Sequence, residues 1–176
     1  MNLIVAVDKN WGIGCENKLL FSIPDDLKNF RKLTKGKVVV MGRRTLESLP
    51  GGLPLKDRTN IVLSRDKELQ IPGAVVCNSI DNLLDELEKY DDENIFIIGG
   101  QTVYEELLDY CNTAYITEIN AEFPADAFFP DITKMPNWVR VDESKRKEHE
   151  GIRYIFCEYA RMQRMSVGPG GPPIIL

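Results

Sequence analysis

The chain has 176 residues, 43% of them hydrophobic, which predicts one packed domain rather than two. Its formal net charge is -5 and it contains no long basic run, so nucleic-acid binding is not expected. The opening MNLIVAVDKN has no leader pattern and no apolar stretch is long enough to span a membrane, which predicts a soluble, cytoplasmic protein, with a monomer as the default.

The cysteine and histidine content argues against metal chemistry. The cysteines are widely spaced and form no CxxC pair, so we predict neither a metal site nor a disulfide framework. They are Cys15, Cys77, Cys111 and Cys157. His149 is the one histidine, and it lies in the charged run ESKRKEHEG, which is typical of a solvated turn.

The first strand and the loop after it come at the start of the chain. Residues 2–8 form a short apolar run with branched side chains, which predicts a strand covered on both faces. Residues 9–21 contain two glycines and polar residues, which favours a mobile loop over a regular element. Such a loop can close over a pocket between the strand and the next helix.

Residues 22–33, SIPDDLKNFRKL, predict a short amphipathic helix. Ser22 can cap it, and Pro24 suits a first helical turn. Three apolar residues recur at helical spacing and define the face predicted to be buried: Leu27, Phe30 and Leu33.

Asp26 shares that apolar face, since it stands four residues before Phe30. Acids are favoured in a first helical turn by the helix dipole, and this explanation is enough for Asp25. For Asp26 the same explanation competes with a functional carboxylate, and this stretch alone favours the former.

Strands then alternate with helices, which is typical of an α/β sheet with largely parallel strands. The predicted strands after the first are 38–41, 58–65, 74–79, 93–98 and 113–120, with helices beginning near Thr45 and covering 79–90 and 101–110. Residues 122–132 predict an irregular connection, and 138–161 predict two strands joined by a charged turn.

The predicted fold is a single α/β domain with a mostly parallel central sheet flanked by helices and a C-terminal antiparallel hairpin. The domain is expected to cover residues 1–162. Residues 163–176 are rich in glycine and proline and predict a flexible tail.

The residues that directly follow three of the predicted strands, which we call strand exits, are similar in composition. Glycine or serine follows each strand together with arginine or a helix start, a combination that suits phosphate. These exits lie at 42–45, 64–65 and 99–100, and parallel strands would place them along one sheet edge. No complete GxGxxG is present, and a glycine pair alone is more often a tight turn. Arg65 stands where an acid would hold a free ribose hydroxyl, which favours NADP over NAD.

Eight separated segments then match one family in order, so the chain resembles dihydrofolate reductase over residues 1–160. They are LIVAV, GIGCENKLLF, IPDDLKNF, VVVMGRRTLESL, RTNIVLS, IFIIGGQTVYEELL, ITEI and DAFFPD. The resemblance implies reduction of 7,8-dihydrofolate to 5,6,7,8-tetrahydrofolate by NADPH, with hydride going to pterin carbon 6 and a proton to nitrogen 5. Antifolate inhibitors are expected to bind as well.

The resemblance also implies the substrate site. Asp26 would bind the pterin, Thr117 would support it, and Arg58 would pair with the substrate's α-carboxylate. Leu27 and Phe30 would pack on the pterin and its aromatic linker. The remaining implied substrate contacts are Ile4 and Ala6, and the implied catalytic group is Asp26, Phe21 and Thr117.

The residues implied in NADPH binding fall on the closing loop, the first strand and the three strand exits. They are Ala6, Ile13, Gly14, Asn17, Gly42, Arg43, Arg44, Thr45, Leu63, Ser64, Arg65, Ile98, Gly99, Gly100, Gln101, Thr102, Val103 and Tyr104. Ser64 and Arg65 match the 2′-phosphate site of the family, and Ile13, Gly14 and Asn17 match the loop that closes over nicotinamide.

Two residues depart from the family pattern. Many relatives carry tryptophan at the position of Phe21, whose indole can hold a water, and proline at the position of Leu20. Two alternatives stay open: a related pterin or pyrimidine reductase on the same fold, and a non-catalytic NADPH-binding domain. Asp26, Phe30, Arg58 and Thr117 together argue against the first.

Overall fold

We describe residues 1–162 of a computed structural model of the chain. The tail predicted at 163–176 lies outside the described residues, so its flexibility stays a prediction. Among the helices of residues 1–162, none is both long and apolar enough to cross a membrane.

The strands follow the apolar runs of the sequence and are numbered in chain order. They are β1 (Asn2–Val7), β2 (Gly12–Cys15), β3 (Lys18–Leu19), β4 (Val38–Gly42), β5 (Thr59–Leu63), β6 (Ala74–Cys77), β7 (Ile95–Gly99), β8 (Thr113–Ile119), β9 (Ala127–Phe128), β10 (Trp138–Glu143), β11 (Lys147–His149) and β12 (Ile152–Arg161).

The α-helices are α1 (Pro24–Thr34), α2 (Arg43–Ser48), α3 (Ile80–Leu87) and α4 (Gln101–Leu107), and short 3-10 turns lie at Pro50–Gly52, Asp92–Asn94, Leu108–Tyr110 and Ile132–Lys134. Ser79 caps α3 by accepting a hydrogen bond from the Asn82 amide. The α2 helix begins at Arg43, two residues before the predicted start near Thr45.

The main sheet has the order β10-β12-β8-β1-β7-β4-β5-β6, with β11 paired to β12. Neighbours from β8 to β6 run parallel, whereas β12 runs antiparallel to β8, β10 and β11. The predicted mostly parallel sheet with a C-terminal antiparallel hairpin is confirmed. The central strands are mostly apolar, as expected for a sheet with helices on both faces, and Asn2 and Asn60 are buried polar exceptions.

Alternating side chains of the central strands build two core layers. One layer includes Ile4 and Met41, and Phe30 of α1 packs against it. The other includes Leu3 and Val40 together with buried residues of α3 and α4. The α1 helix and the helices α3 and α4 therefore cover opposite faces of the sheet.

The prediction that residues 9–21 form a loop without regular structure was partly wrong. This segment contains β2 and β3, which join β9 in a separate antiparallel sheet, so the connection predicted as irregular over 122–132 also carries a strand. These strands are short and glycine-containing, and backbone pairing rather than an apolar pattern defines them.

The α1 helix departs from its prediction at both its start and its face. Ile23 is the N-cap, and no side chain within residues 1–162 caps the helix, so the predicted Ser22 cap is wrong. Leu27 is 50% exposed and Phe30 only half-buried, so the face predicted to be buried is partly open to solvent. We call the space between this face, Thr117 and Arg58 the α1 cleft.

The charged turn of the C-terminal hairpin contains strand β11, which the sequence did not predict. His149 lies at the end of β11, opposite Ile152, and its side chain is 34% exposed. The solvated turn expected around His149 is therefore partly a strand.

Candidate functional site

Asp26 meets Thr117 at the edge of the α1 cleft. The Thr117 hydroxyl donates a hydrogen bond to Asp26 Oδ1 at 2.6 Å, across 91 residues of sequence. Thr117 is 5% exposed and lies on β8, opposite Ala6 on one side and Phe156 on the other. A side chain of the sheet face that packs against α1 therefore binds the Asp26 carboxylate.

Burial raises the pKa of the Asp26 carboxyl above its usual value, the hydrogen bond from Thr117 lowers it, and the Asp25 charge raises it. Desolvation is the largest of these effects because it disfavours the ionised form. The site thus holds a carboxyl whose protonation responds to whatever binds beside it.

Asp25, which the sequence explained by helix electrostatics alone, also fastens α1 to the sheet. The Tyr154 hydroxyl donates to Asp25 Oδ2 at 3.0 Å, and Lys147 Nζ lies 3.4 Å from the same oxygen. Burial, followed by the bond to Asp25, raises the pKa of Tyr154 to about 12, so its hydroxyl stays a donor. These contacts fix the start of the helix that carries Asp26.

Arg58 borders the other side of the cleft. Its guanidinium carbon lies 5.9 Å from the centre of the Phe30 ring, and within residues 1–162 its buried Nε has no hydrogen-bond partner. Burial and the nearby Arg31 lower its pKa. A buried donor without an acceptor is costly, so the site favours an anionic ligand here.

The other residues predicted to contact substrate line the same region. Ile4 is buried beside Phe30 in one core layer, and half-buried Ala6 lies in the cluster around Ile23. Phe21 belongs to this cluster too, with its ring centre 5.9 Å from that of Phe123. Their predicted ligand roles stay predictions.

The three predicted strand exits meet at one edge of the sheet. Gly42 pairs with Leu63, and Met41 pairs with Gly99, which brings the ends of β4, β5 and β7 together. A Cβ atom at Gly100 would lie 3.5 Å from Thr45 Oγ1. The two glycine turns are therefore in contact.

Gly99 requires glycine for two reasons. Its φ is +123°, and a Cβ would lie 3.2 Å from Cε2 of the Tyr104 ring. The peptide between Gly99 and Gly100 is cis. Both Gly42 and Gly100 are N-caps, of α2 and α4, and no side chain of the described chain caps either helix.

The arginines at these exits differ in their contacts. Arg43 Nε lies 3.1 Å from Glu47 Oε1, and Arg43 Nη1 lies 3.3 Å from Asp66 Oδ2, so two carboxylates already hold it. Arg44 and Arg65 are exposed, and neither forms an ion pair within residues 1–162. Those two remain open to a phosphate.

The remaining residues predicted to bind the cofactor differ in burial. Val103 and Tyr104 are buried, and the Tyr104 hydroxyl donates to the Ile4 carbonyl at 2.7 Å. Ile13 is also buried in the core, whereas Asn17 is exposed in the β2–β3 turn. Half-buried residues around the glycine edge are Leu63, Ser64, Ile98 and Gln101, and Thr102 is exposed.

Sequence reasoning missed Asp126 altogether, and it predicted Gln101 for NADPH but not its contact with a loop beside the site. Asp126 Oδ2 accepts from the Glu16 amide at 2.9 Å, and Gln101 Oε1 accepts from the Phe128 amide at 2.8 Å. Each contact joins segments far apart in sequence, and no local pattern signals it.

Comparisons with known proteins agree with one another. The family profile described as Dihydrofolate reductase matches residues 1–161. A dihydrofolate reductase of Staphylococcus aureus is 37% identical over 163 residues, covering 92% of this chain and 98% of that protein. A dihydrofolate reductase of Bacillus subtilis is 34% identical over 170 residues, covering 96% and 98%.

A solved structure is similar in fold as well. It is a dihydrofolate reductase from Enterococcus faecalis complexed with NADP(H) and RAB-propyl. The TM-score is 0.81 at 33% identity, covering 91% of this chain and 95% of that one.

Proposed function

The chain belongs to the dihydrofolate reductase family, and we propose from this that it reduces 7,8-dihydrofolate to 5,6,7,8-tetrahydrofolate with NADPH. The observation that carries the proposal is the half-buried Asp26 carboxylate, bound by the Thr117 hydroxyl at 2.6 Å, on a cleft that Arg58 also borders. A carboxylate and a guanidinium whose buried Nε has no acceptor within residues 1–162 suit a ligand with a basic ring and an acidic tail.

The substrate roles follow from this chemistry. Asp26 accepts hydrogen bonds from the exocyclic amino group and ring nitrogen 3 of the pterin. Arg58 pairs with the α-carboxylate, which satisfies its buried Nε. Phe30, the half-exposed Leu27 and the sheet residues Ile4 and Ala6 supply apolar contacts.

The glycine edge fits NADPH. The absence of a Cβ at Gly99 and Gly100 keeps the backbone accessible, and the amide groups that begin α2 and α4 can bind phosphate oxygens. Ser64, Arg44 and Arg65 would hold the additional phosphate that distinguishes NADPH from NADH. NADPH supplies the hydride when bound.

The residues of the chain orient the two rings, keep water out of the cleft and favour protonation of the pterin. Asp26 fixes the pterin ring, and its charge favours a proton on ring nitrogen 5, which a water delivers past the β2–β3 loop. Ile13, Gly14 and Asn17 form the part of this loop that covers nicotinamide. Holding two rings in a dry cleft accounts for much of the rate.

The remaining finer proposals concern the whole protein. We take the catalytic domain as residues 1–162 and the protein as a cytoplasmic monomer. Its net charge of -5 argues against nucleic-acid partners. Antifolates occupy the Asp26 cleft in place of substrate.

The first prediction tests the reaction and its carboxylate together. Purified protein is expected to oxidise NADPH only when dihydrofolate is present, and methotrexate is expected to stop it. Asp26→Asn should keep NADPH affinity and lose most turnover at neutral pH, with partial recovery at low pH because the substrate arrives protonated. The measurement is NADPH absorbance together with coenzyme titration.

Asp81→Asn is the control, since it removes an exposed first-turn carboxylate of α3 that makes no side-chain hydrogen bond or ion pair within residues 1–162. It should keep most of the activity. NADPH oxidation that does not depend on dihydrofolate would refute the reaction, and full activity of Asp26→Asn would refute the role of Asp26.

A further inference from the structure

A cavity lies at the end of the sheet where β1 and β8 end and β12 begins, and its volume is about 420 Å³. It is lined from both faces, with Ile119 and Tyr154 on the face of Asp26. Thr117 on β8 faces Asp26, so the next residue, Glu118, points to the other face and lines this cavity. None of the residues assigned to folate or NADPH lines the cavity, so it is separate from both proposed sites.

Three cations from separate chain segments line it: Lys9, Arg146 and Arg153. Within residues 1–162, none of the three forms an ion pair with a carboxylate. Acidic residues outnumber basic ones in this chain by 27 to 22, so partners are not scarce. Unpaired cations around one concavity mark it as a place for an anion.

The carboxylates on the cavity wall do not neutralise these cations because other groups already bind them. Glu118 accepts from Arg140 at 2.7 Å and from the Tyr159 hydroxyl at 2.7 Å. Asp8 accepts from the amides of Asn10, Gly12 and Phe123 at 2.9, 2.8 and 3.1 Å. Arg140 compensates the charge of Glu118, whereas the neutral amides stabilise the charge of Asp8 without cancelling it. The three cations therefore still outweigh the one uncompensated carboxylate of the wall.

Apart from Asn120, the uncharged part of the wall is apolar or aromatic. Trp11 and Ile155 line the cavity, and the Trp11 ring is stacked on Phe129 at 6.2 Å between centres. An indole fixed in this way offers a flat surface to a planar ligand. The volume lies within the range of about 300–1,000 Å³ usual for small-molecule sites.

We propose that this cavity binds a small organic anion that carries a planar ring and at least two anionic groups. The guanidinium groups of Arg146 and Arg153 bind phosphate, carboxylate or sulfonate oxygens, and Lys9 adds a third positive charge. Trp11 and Ile155 contact the ring. A concave site of this size favours a small molecule over a nucleic acid or a protein.

Pyrene-1,3,6,8-tetrasulfonate is the probe, used with protein already saturated with NADPH and methotrexate. Quenching of tryptophan fluorescence reports binding, because Trp11 lines the cavity whereas Trp138 is 6% exposed on β10. Calorimetry gives the affinity independently. The Trp11→Phe variant should lose the quenching and keep the calorimetric signal.

The decisive variant is Arg146→Gln/Arg153→Gln, with Lys35→Gln/Lys56→Gln as the control of equal charge away from the cavity. We expect the first to weaken probe binding about tenfold or more and the second by less than about twofold. At equal ionic strength, inorganic pyrophosphate should bind at least about tenfold more weakly than the probe, since it lacks the ring.

Three results would overturn the proposal: no binding to the saturated protein, equal weakening in both double variants, or pyrophosphate binding as tight as that of the probe. Each readout is a binding constant that needs no turnover. A failure here is therefore distinguishable from a failure of the proposed reductase activity.

Discussion

A carboxylate on the inner face of a helix costs free energy unless it is solvated or bonded, and within residues 1–162 Asp26 has one donor, the Thr117 hydroxyl. Burial outweighs that donor, so the pKa of the carboxyl is raised. The ionised form of the Asp26 carboxyl is therefore less stable in the folded protein than it would be in water. A ligand that donates to it recovers part of this cost.

The second prediction follows from the raised pKa of Asp26. The unfolded carboxyl titrates near its usual value of about 3.9, and the folded one titrates higher, so ionisation destabilises the fold above the folded pKa. Each unit of upward shift costs about 1.4 kcal/mol at neutral pH. Asp26→Asn should therefore raise the free energy of unfolding at neutral pH.

This gain should shrink as pH falls and disappear below about 3.9, where both states are protonated. Urea unfolding of both proteins across that range is the measurement. A gain that does not change with pH would contradict the burial of an ionised carboxyl.

The third prediction concerns the donor. Thr117→Val keeps the shape of the side chain and removes the hydroxyl, so the pKa of Asp26 should rise further. The loss of stability should be about 1–3 kcal/mol at neutral pH and smaller in acid, because the protonated carboxyl needs the donor less.

Carbon-13 NMR of labelled aspartate would follow the carboxyl directly. Thr113→Val on the same strand is the control and should leave that titration where it was. If both variants moved it equally, the hydroxyl contact would not be the cause.

At the scale of elements, the turn between β7 and α4 combines two constraints at Gly99. The backbone there has a φ of +123°, and the Tyr104 ring occupies the space beside it. Tyr104 in turn bonds the Ile4 carbonyl of β1, so the ring cannot easily move. The turn and the central strand therefore share one rigid contact.

The fourth prediction is that Gly99→Ala lowers the free energy of unfolding by about 2–5 kcal/mol and weakens NADPH binding. Gly151→Ala is the matched control, since its φ is +80° and nothing within residues 1–162 lies within 4 Å of the added Cβ. It should cost only about 1–2 kcal/mol and leave NADPH affinity unchanged. Thermal unfolding and coenzyme titration give both quantities.

Elements with a strong local pattern could be predicted from the sequence, and those defined by distant partners could not. The apolar runs at 2–7 and 38–41 and the glycine turns at 42 and 99–100 fall where expected. The sheet of β2, β3 and β9 was missed because Gly12 and Gly14 carry no side chains to form a pattern. The partner of β2 in this sheet, β9, lies more than about a hundred residues away in sequence.

The candidate site divides in the same way. The anomaly of Asp26 is visible locally, but its contact with Thr117 spans 91 residues and came from the family resemblance rather than from spacing. The contact of Asp25 with Tyr154 spans 129 residues and had no signal at all. The exposure of Leu27 was missed because helical periodicity does not distinguish a core from a cleft.

At the scale of the whole molecule, the fifth prediction compares two shortened chains. A chain ending at residue 162 should keep its activity, and its stability should change by no more than about 0.5 kcal/mol. A chain ending at residue 151 lacks β12 and with it the buried Tyr154, Cys157 and Tyr159, so it should not fold.

Soluble yield and circular dichroism show whether each shortened chain folds, and turnover shows whether it is active. Loss of activity on removing 163–176 alone would show that the domain boundary at 162 is wrong.

The position of β12 between β8 and β10 also sets an order of events during synthesis. The ribosome releases Asp26 and Thr117 well before residues 152–161, yet Phe156 must pair with Thr117 to close that edge of the sheet. Until then the nascent chain exposes an unpaired apolar strand, the kind of edge that aggregates or recruits chaperones. The carboxylate site thus matures only after almost the whole described domain has been translated.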